Sequence, residues 1–309
     1  MRDRNRGEAL SRKKILVTGA SGFVAGSVLY FGAEEYEIHA ISRGRSLYEH
    51  ENVHWHTLGI EDHVGLSVLF EGLRPDAIIH TAAFADIDYC EQNRSIANAV
   101  NVDYTERLAE LARQHQVRMV YVSTDNVFDG FCDLYTESSS AEPINYYGQT
   151  KLEAEKIVLN TVPDSIVCRL ALVMGFPVIG GGNSFLARIV AKWDDGESVG
   201  VPDNEMRSPI DVVTAGRALL ELATTETRGV ILLGGLDRLR RFDLVRRLAE
   251  GLGYDPGLVH VFDPSNLDGR ADRPESVLFD MSYAQNVLET RIVSLDDAIA
   301  QIEPFKPRG

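Results

Sequence analysis

From Lys14 onward the chain alternates short, fully apolar runs with segments of helical spacing. ILVTG (15–19), EIHAISR (37–43), VHWHTL (53–58), AIIHTAA (77–83), RMVYVST (118–124) and SIVCRLAL (165–172) read as strands. GFVAGSVLYFGAE (22–34), HVGLSVLFEGL (63–73), residues 94–115 and YGQTKLEAEKIVLN (147–160) read as the helices between them. A strand buried on both faces is apolar at every position, and a parallel neighbour can be reached only by a crossover, usually a helix. The pattern therefore predicts an α/β fold built on a doubly wound parallel sheet.

After Val173 the rhythm breaks. MGFPVIGGGNS (174–184) is loop-like, strand and helix signals return over 210–234, and 242–309 holds three short helical patterns among proline-bearing loops. We expect a dinucleotide-binding domain over 13–172 plus 208–235. A smaller, discontinuous substrate domain would take 173–207 plus 236–309, with 1–12 as a mobile tail. Ligands of such open sheets sit beyond the carboxyl ends of the strands.

VTGASGFVAGS (17–27) joins the first strand to the first helix. Gly19 and Gly22 permit a tight turn and close approach to a pyrophosphate, which the helix N-terminus then faces with unpaired N–H groups. Ala25 replaces the third glycine, with Gly26 one place later. This reads as a Rossmann-type cradle, with Ser21, Phe23 and Val24 around the phosphates. The second strand ends Ile41-Ser42-Arg43-Gly44, without the acid that would hold the ribose 2′-OH of NAD. Arg43 and Ser42 suit a 2′-phosphate, so NADP(H) is favoured over NAD(H). A solvated loop arginine is the alternative.

Tyr147-Gly148-Gln149-Thr150-Lys151 sets a phenol and an ammonium four apart on one helix face. A nearby positive charge lowers a phenol's pKa, and a phenol so tuned can give its proton to an alkoxide. STDNVFDG (123–130) closes the preceding strand. Alone it would read as a polar turn, because Ser, Asp and Asn commonly end strands. With Tyr147 and Lys151 downstream, Thr124 becomes the third member of a catalytic set.

These stretches, together with HTAAFADIDYCE (80–91), NVDYTERLAELA (101–112), PINYYGQTKLEAE (143–155), CRLALVMG (168–175) and MRSPIDVV (206–213), resemble the extended short-chain dehydrogenase/reductases. Within them the chain is similar to the dTDP-4-dehydrorhamnose reductase-like group, over about Lys14 to Ile302. The resemblance implies NAD(P)H-dependent reduction of a 4-keto sugar carried on a nucleoside diphosphate. Thr124, Tyr147 and Lys151 would be catalytic. Ala82, Ala83, Val122, Tyr147 and Lys151 would line the cofactor, and Thr124, Asp125 and Asn126 would face the substrate. Arg207, whose guanidinium suits a diphosphate, is a further substrate candidate, with a structural salt bridge before Pro209 as the alternative.

There are departures. Asn126 stands where related dehydratases carry an acid and rhamnose reductases usually a tyrosine. Leu172 replaces an aromatic, and Gly59 an acid that helps hold adenosine. Two rival functions share the resemblance: a nucleotide-sugar 4-epimerase, and a non-catalytic NADP-binding regulatory subunit like the beta subunit of methionine adenosyltransferase. The first would retain its cofactor, and the second would act through a partner chain.

Charge narrows the partners. With 31 Lys and Arg against 46 Asp and Glu the net charge is −15, which disfavours nucleic acid and anionic membrane. No apolar run nears the ~20 residues that span a bilayer. Cys90, Cys132 and Cys168 form no C-x-x-C pair and fit a reducing, cytoplasmic setting. Residues 1–14 lack the apolar core of a secretory signal. Cys132 reads as a loop thiol, and Asn98 and Asn101 as relay or turn-capping residues. His54 and His56 share a strand face, but two histidines without a third ligand seldom bind metal, so no metal site is expected. Helices 94–115 and 147–160 are candidates to pair across a homodimer.

Overall fold

The computed structural model describes residues 12–307 apart from 181, 265, 266 and 268, so residues 1–11 of the expected tail lie outside it. Seven strands form the central sheet: β1 (Lys14–Thr18), β2 (Glu37–Ser42), β3 (Val53–Thr57), β4 (Ala77–His80), β5 (Arg118–Thr124), β6 (Ser165–Leu170) and β7 (Gly229–Leu233). Their order is β7-β6-β5-β4-β1-β2-β3, and every pairing is parallel. The order reverses at β1, so the loops after β1 and β4 diverge there and open a crevice at the strands' carboxyl ends.

Side-chain alternation shows why the inner strands had to be apolar on both faces, while the edge strand β3 is part exposed. Ile15 and Val17 face one core with Val120, Ile166 and Cys168. Leu16 faces the opposite core with Ile78, Met119, Tyr121 and Val167. The helices Phe23–Gly32 and Val212–Leu222 cover the first face, and His63–Leu73, Tyr104–His115 and Tyr146–Thr161 the second. A third core joins Phe176, Leu186, Trp193, Leu244, Leu248 and Ile299 from the later part of the chain.

Local chemistry sets the ends. Asp62 caps its helix by accepting from Gly65 N–H at 2.8 Å, and Arg74 stops it in the left-handed region at φ 49°. The stretch 94–115 differs from the single helix expected. It is Arg94–Asn98, a π-turn over Ala99–Asp103, then Tyr104–His115. No helix among the described residues is long and apolar enough to cross a membrane.

Candidate active site

After β1 the chain turns through Gly19 at φ +67°. A Cβ there would stand 2.6 Å from the Ala82 backbone, so both angle and proximity require glycine. Gly22 N–H donates to Gly19 O at 2.8 Å and closes the turn. Gly22 then caps the helix Phe23–Gly32 without any side-chain hydrogen bond, which leaves the first-turn N–H groups to an anion. Gly19, Ser21, Gly22, Ser42, Arg43, Ala82 and Ala83 line one cavity. Its wall includes Phe84, whose ring centroid lies 5.9 Å from the Arg43 guanidinium. Phe23 and Val24 form the helix's first turn and pack partly into the hydrophobic cores.

β5 ends at Thr124, and Asp125–Val127 make one 3₁₀ turn. Thr124 Oγ1 accepts from Asn126 N–H at 3.2 Å, so STDN is a capped turn and also brings groups together. Burial holds Tyr147 well above the usual tyrosine range, while the nearby Thr124 hydroxyl pulls the other way. Asn145 caps the helix Tyr146–Thr161 by accepting from Gly148 N–H at 2.8 Å, and so fixes where Tyr147 emerges.

Lys151 is 2% exposed. Its ammonium donates to Val122 O at 2.7 Å and stands 4.1 Å from the Tyr121 ring centroid. Burial pulls its pKa from 10.5 to about 7, with Glu155 acting in the opposite sense. The sequence led us to expect Lys151 to lower the Tyr147 pKa. Desolvation instead governs both groups and drives each towards its neutral form.

A polar network lies beneath Lys151. Glu155, 1% exposed, accepts from Ser123 Oγ at 2.5 Å and from Arg169 Nε and Nη2 at 3.0 and 2.7 Å. His80 is buried between Thr18 and Thr105. Because Thr105 Oγ1 donates to Asn101 O at 2.8 Å, it must accept from His80 Nε2–H, which assigns the tautomer. Burial drops the His80 pKa to about 3 and keeps the ring neutral.

Arg207 lies elsewhere than an exposed diphosphate contact would. It is buried, donating to the carbonyls of Met206, Pro274 and Glu275, with Nε 3.5 Å from Asp125 Oδ2. Short two-residue strands here leave carbonyls that the guanidinium serves. Asp125 is buried with it, and desolvation raises its pKa against the pull of Arg207. Asn126 reaches Asp125 Oδ1 at 2.9 Å. The adjacent cleft is lined by Arg241, Arg270 and Arg273, arginines the sequence did not single out. Arg241 and Arg270 pair with Glu205, and Arg273 with Asp88.

One positioning residue, Gly148, was missed, and another, Asn101, was named only as a relay or turn-capping candidate. A Cβ on Gly148 would stand 2.1 Å from Asn126 O, so only glycine lets the Tyr147 helix seat against the Thr124 turn. A glycine inside a helix, where it is disfavoured, was the available signal. Asn101 in the π-turn binds Phe84 N–H and O, and donates to Thr150 Oγ1 at 3.0 Å. Thr150 in turn donates to Tyr147 O, so Asn101 ties the cavity wall to the tyrosine's helix. Cys90 packs buried beside Tyr147, its pKa pushed up to about 11 by burial, and Cys132 is exposed. The premise of the metal expectation also changes, because β2 brings Glu37 and His39 beside His54.

Among curated proteins, the chain is 27% identical to a probable low-salt glycan biosynthesis reductase of Haloferax volcanii, over 93% of this chain and 96% of that one. It is 30% identical to a dTDP-4-keto-6-deoxy-D-glucose reductase of Streptomyces niveus, over 84% and 85%. Among solved structures, the dTDP-4-dehydrorhamnose reductase of Bacillus anthracis in complex with NADP superposes with a TM-score of 0.81 at 22% identity, over 94% and 98%. The family described as RmlD substrate binding domain matches residues 13–303, and the chain belongs to that family.

Proposed function

We propose that this protein is an NADPH-dependent reductase of a nucleoside-diphosphate 4-keto-6-deoxysugar. The observation that carries the proposal is the gathering of Thr124 at the end of β5 with buried Tyr147 and Lys151 on one helix, next to the glycine turn after β1. The cradle fits a dinucleotide on two counts: the Gly19 approach to Ala82 and the side-chain-free cap at Gly22. Arg43 at the rim favours the 2′-phosphate form. The nicotinamide, when bound, supplies hydride to the keto carbon.

The remaining work falls to the chain's own groups. Tyr147, kept protonated by burial, gives its proton to the developing alkoxide. Thr124 orients that oxygen, and Lys151 holds the polar floor between Val122 O and Glu155. The sugar nucleotide would lie between the dinucleotide-binding pieces (13–172 plus 208–235) and the pieces 173–207 plus 236–309. Its diphosphate would enter the cleft of Arg241, Arg270 and Arg273, displacing carboxylates from the guanidiniums.

The test is oxidation of NADPH with a freshly generated dTDP-4-keto-6-deoxyhexose, followed by loss of nicotinamide absorbance. Turnover should fall by roughly 10²–10⁴ in Tyr147→Phe while NADPH binding persists. Cofactor retained through purification with no net oxidation would point to an epimerase. NADPH binding without turnover, and with a co-purifying chain, would point to a regulatory subunit.

A further inference from the structure

Away from the catalytic cleft, the free edge of the sheet gathers three histidines and a glutamate. β2 and β3 run parallel with His39 opposite His54 and Ile41 opposite His56. Residues two apart on a strand share a face, so Glu37 and His39 point the same way, as do His54 and His56. His39 Nε2 lies 2.9 Å from Glu37 Oε1, and its Nδ1 lies 2.9 Å from His56 Nε2. One ligand atom each from Glu37, His39 and His54 falls within 4.8 Å of the other two.

We propose that Glu37, His39 and His54 form a binding site for a divalent transition ion of the zinc class, with His56 holding the His39 ring. Zinc takes imidazole nitrogen and carboxylate oxygen at about 2.0–2.2 Å in tetrahedral array, which places ligand atoms roughly 3.3 Å apart. The Glu37–His39 pair already has nearly that spacing. His54 is exposed and free to swing in by side-chain rotation. Two imidazoles and one carboxylate leave the fourth position to water. The set suits zinc, nickel or copper better than magnesium or calcium, which prefer oxygen ligands.

The second ring nitrogen of a ligating histidine is almost always held by a hydrogen bond. Without the ion, His39 Nε2–H donates to Glu37 and Nδ1 accepts from His56 Nε2–H. When the ion takes Nε2, the proton moves to Nδ1 and the same 2.9 Å contact lets His56 Nε2 accept it. Lys14 is the opposing charge. Its ammonium is 3.9 Å from Glu37 Oε1, and with its side chain 37% exposed it is free to move into solvent when the ion enters. The ion would clamp the edge strand β3 to β2, whose far end carries Ser42.

The experiment titrates Zn²⁺ into the full chain, free of any histidine tag and stripped with chelator, in a calorimeter, with Mg²⁺ as comparison. The expected result is one zinc per chain at micromolar affinity or tighter and no magnesium uptake. His54→Ala and Glu37→Gln should each weaken zinc binding at least tenfold, and His56→Ala by about 10–100-fold, as loss of a supporting partner does. Cys132→Ser should leave it unchanged. Circular dichroism of each variant separates ligand loss from misfolding, and Co²⁺ substitution should give the absorption of a four-coordinate site. No saturable zinc binding, or binding that survives the His54→Ala/Glu37→Gln double variant, would overturn the proposal.

Discussion

Lys151 allows a quantitative test of how far burial neutralises the site. Moving its pKa from 10.5 to about 7, at about 1.4 kcal/mol per pH unit, makes carrying the charge inside the fold cost about 5 kcal/mol. Between those two values the unfolded chain binds the proton and the folded chain does not. Unfolding therefore takes up a proton and becomes harder as pH rises. The cost is fully present below about pH 7 and has disappeared by pH 10.5. Lys151→Met keeps a long apolar stem and removes the titration. Urea unfolding of both proteins, read by Trp55 and Trp193 fluorescence from pH 6 to 9.5, isolates this single group. Wild type should gain on the variant by about 1.4 kcal/mol per pH unit above pH 7. Any pH-independent difference in packing moves the whole curve and leaves its slope alone. A constant difference across that range would refute the reasoning, since Lys151 would then keep its charge in the fold.

Three further outcomes follow from the same geometry. Glu155→Gln strands Arg169 and should cost about 3–5 kcal/mol, seen as a Tm lower by about 10 °C. Gly148→Ala forces the Tyr147 helix off the Asn126 carbonyl and should lower turnover about 10²-fold with NADPH binding retained, because displacements near 1 Å carry that penalty. Arg43→Ala should raise the KM for NADPH at least tenfold and leave that for NADH unchanged, given about 1.5–3 kcal/mol for a charged hydrogen bond. Equal effects on the two cofactors would remove Arg43 from selectivity.

The sheet was legible because its inner strands are buried on both faces and declare themselves locally. The run 118–124 became β5 with the same limits. The glycine cradle was legible for a similar reason, since a φ of +67° and a close backbone approach leave no choice of residue at Gly19. What escaped reading depends on partners distant in sequence. The π-turn at Ala99–Asp103 places Asn101 against Phe84 and Thr150, and nothing near 101 signals either contact. His39 reads as one core residue of an apolar strand until β3 lays His54 and His56 beside it. The Tyr147–Lys151 spacing correctly put both groups on one helix face. The direction of their pKa displacement depends on depth of burial, which spacing does not encode. Arg207 is the same kind of case, because two of its carbonyl partners, Pro274 and Glu275, lie more than sixty residues away in sequence.

That arginine has a consequence for how variants will read. One guanidinium fastens Asp125, the carboxylate after Thr124, to the late loop at Pro274–Glu275. Asn145 grips the same loop through Asp272 O. The loop works as a keystone, touching the ends of both segments that present Thr124 and Tyr147. Substitutions at Asp272, Pro274 and Glu275 should therefore show up as lost turnover, though none of the three is placed against substrate or cofactor. Mutational sensitivity will follow these fastenings more closely than distance from the reacting carbon.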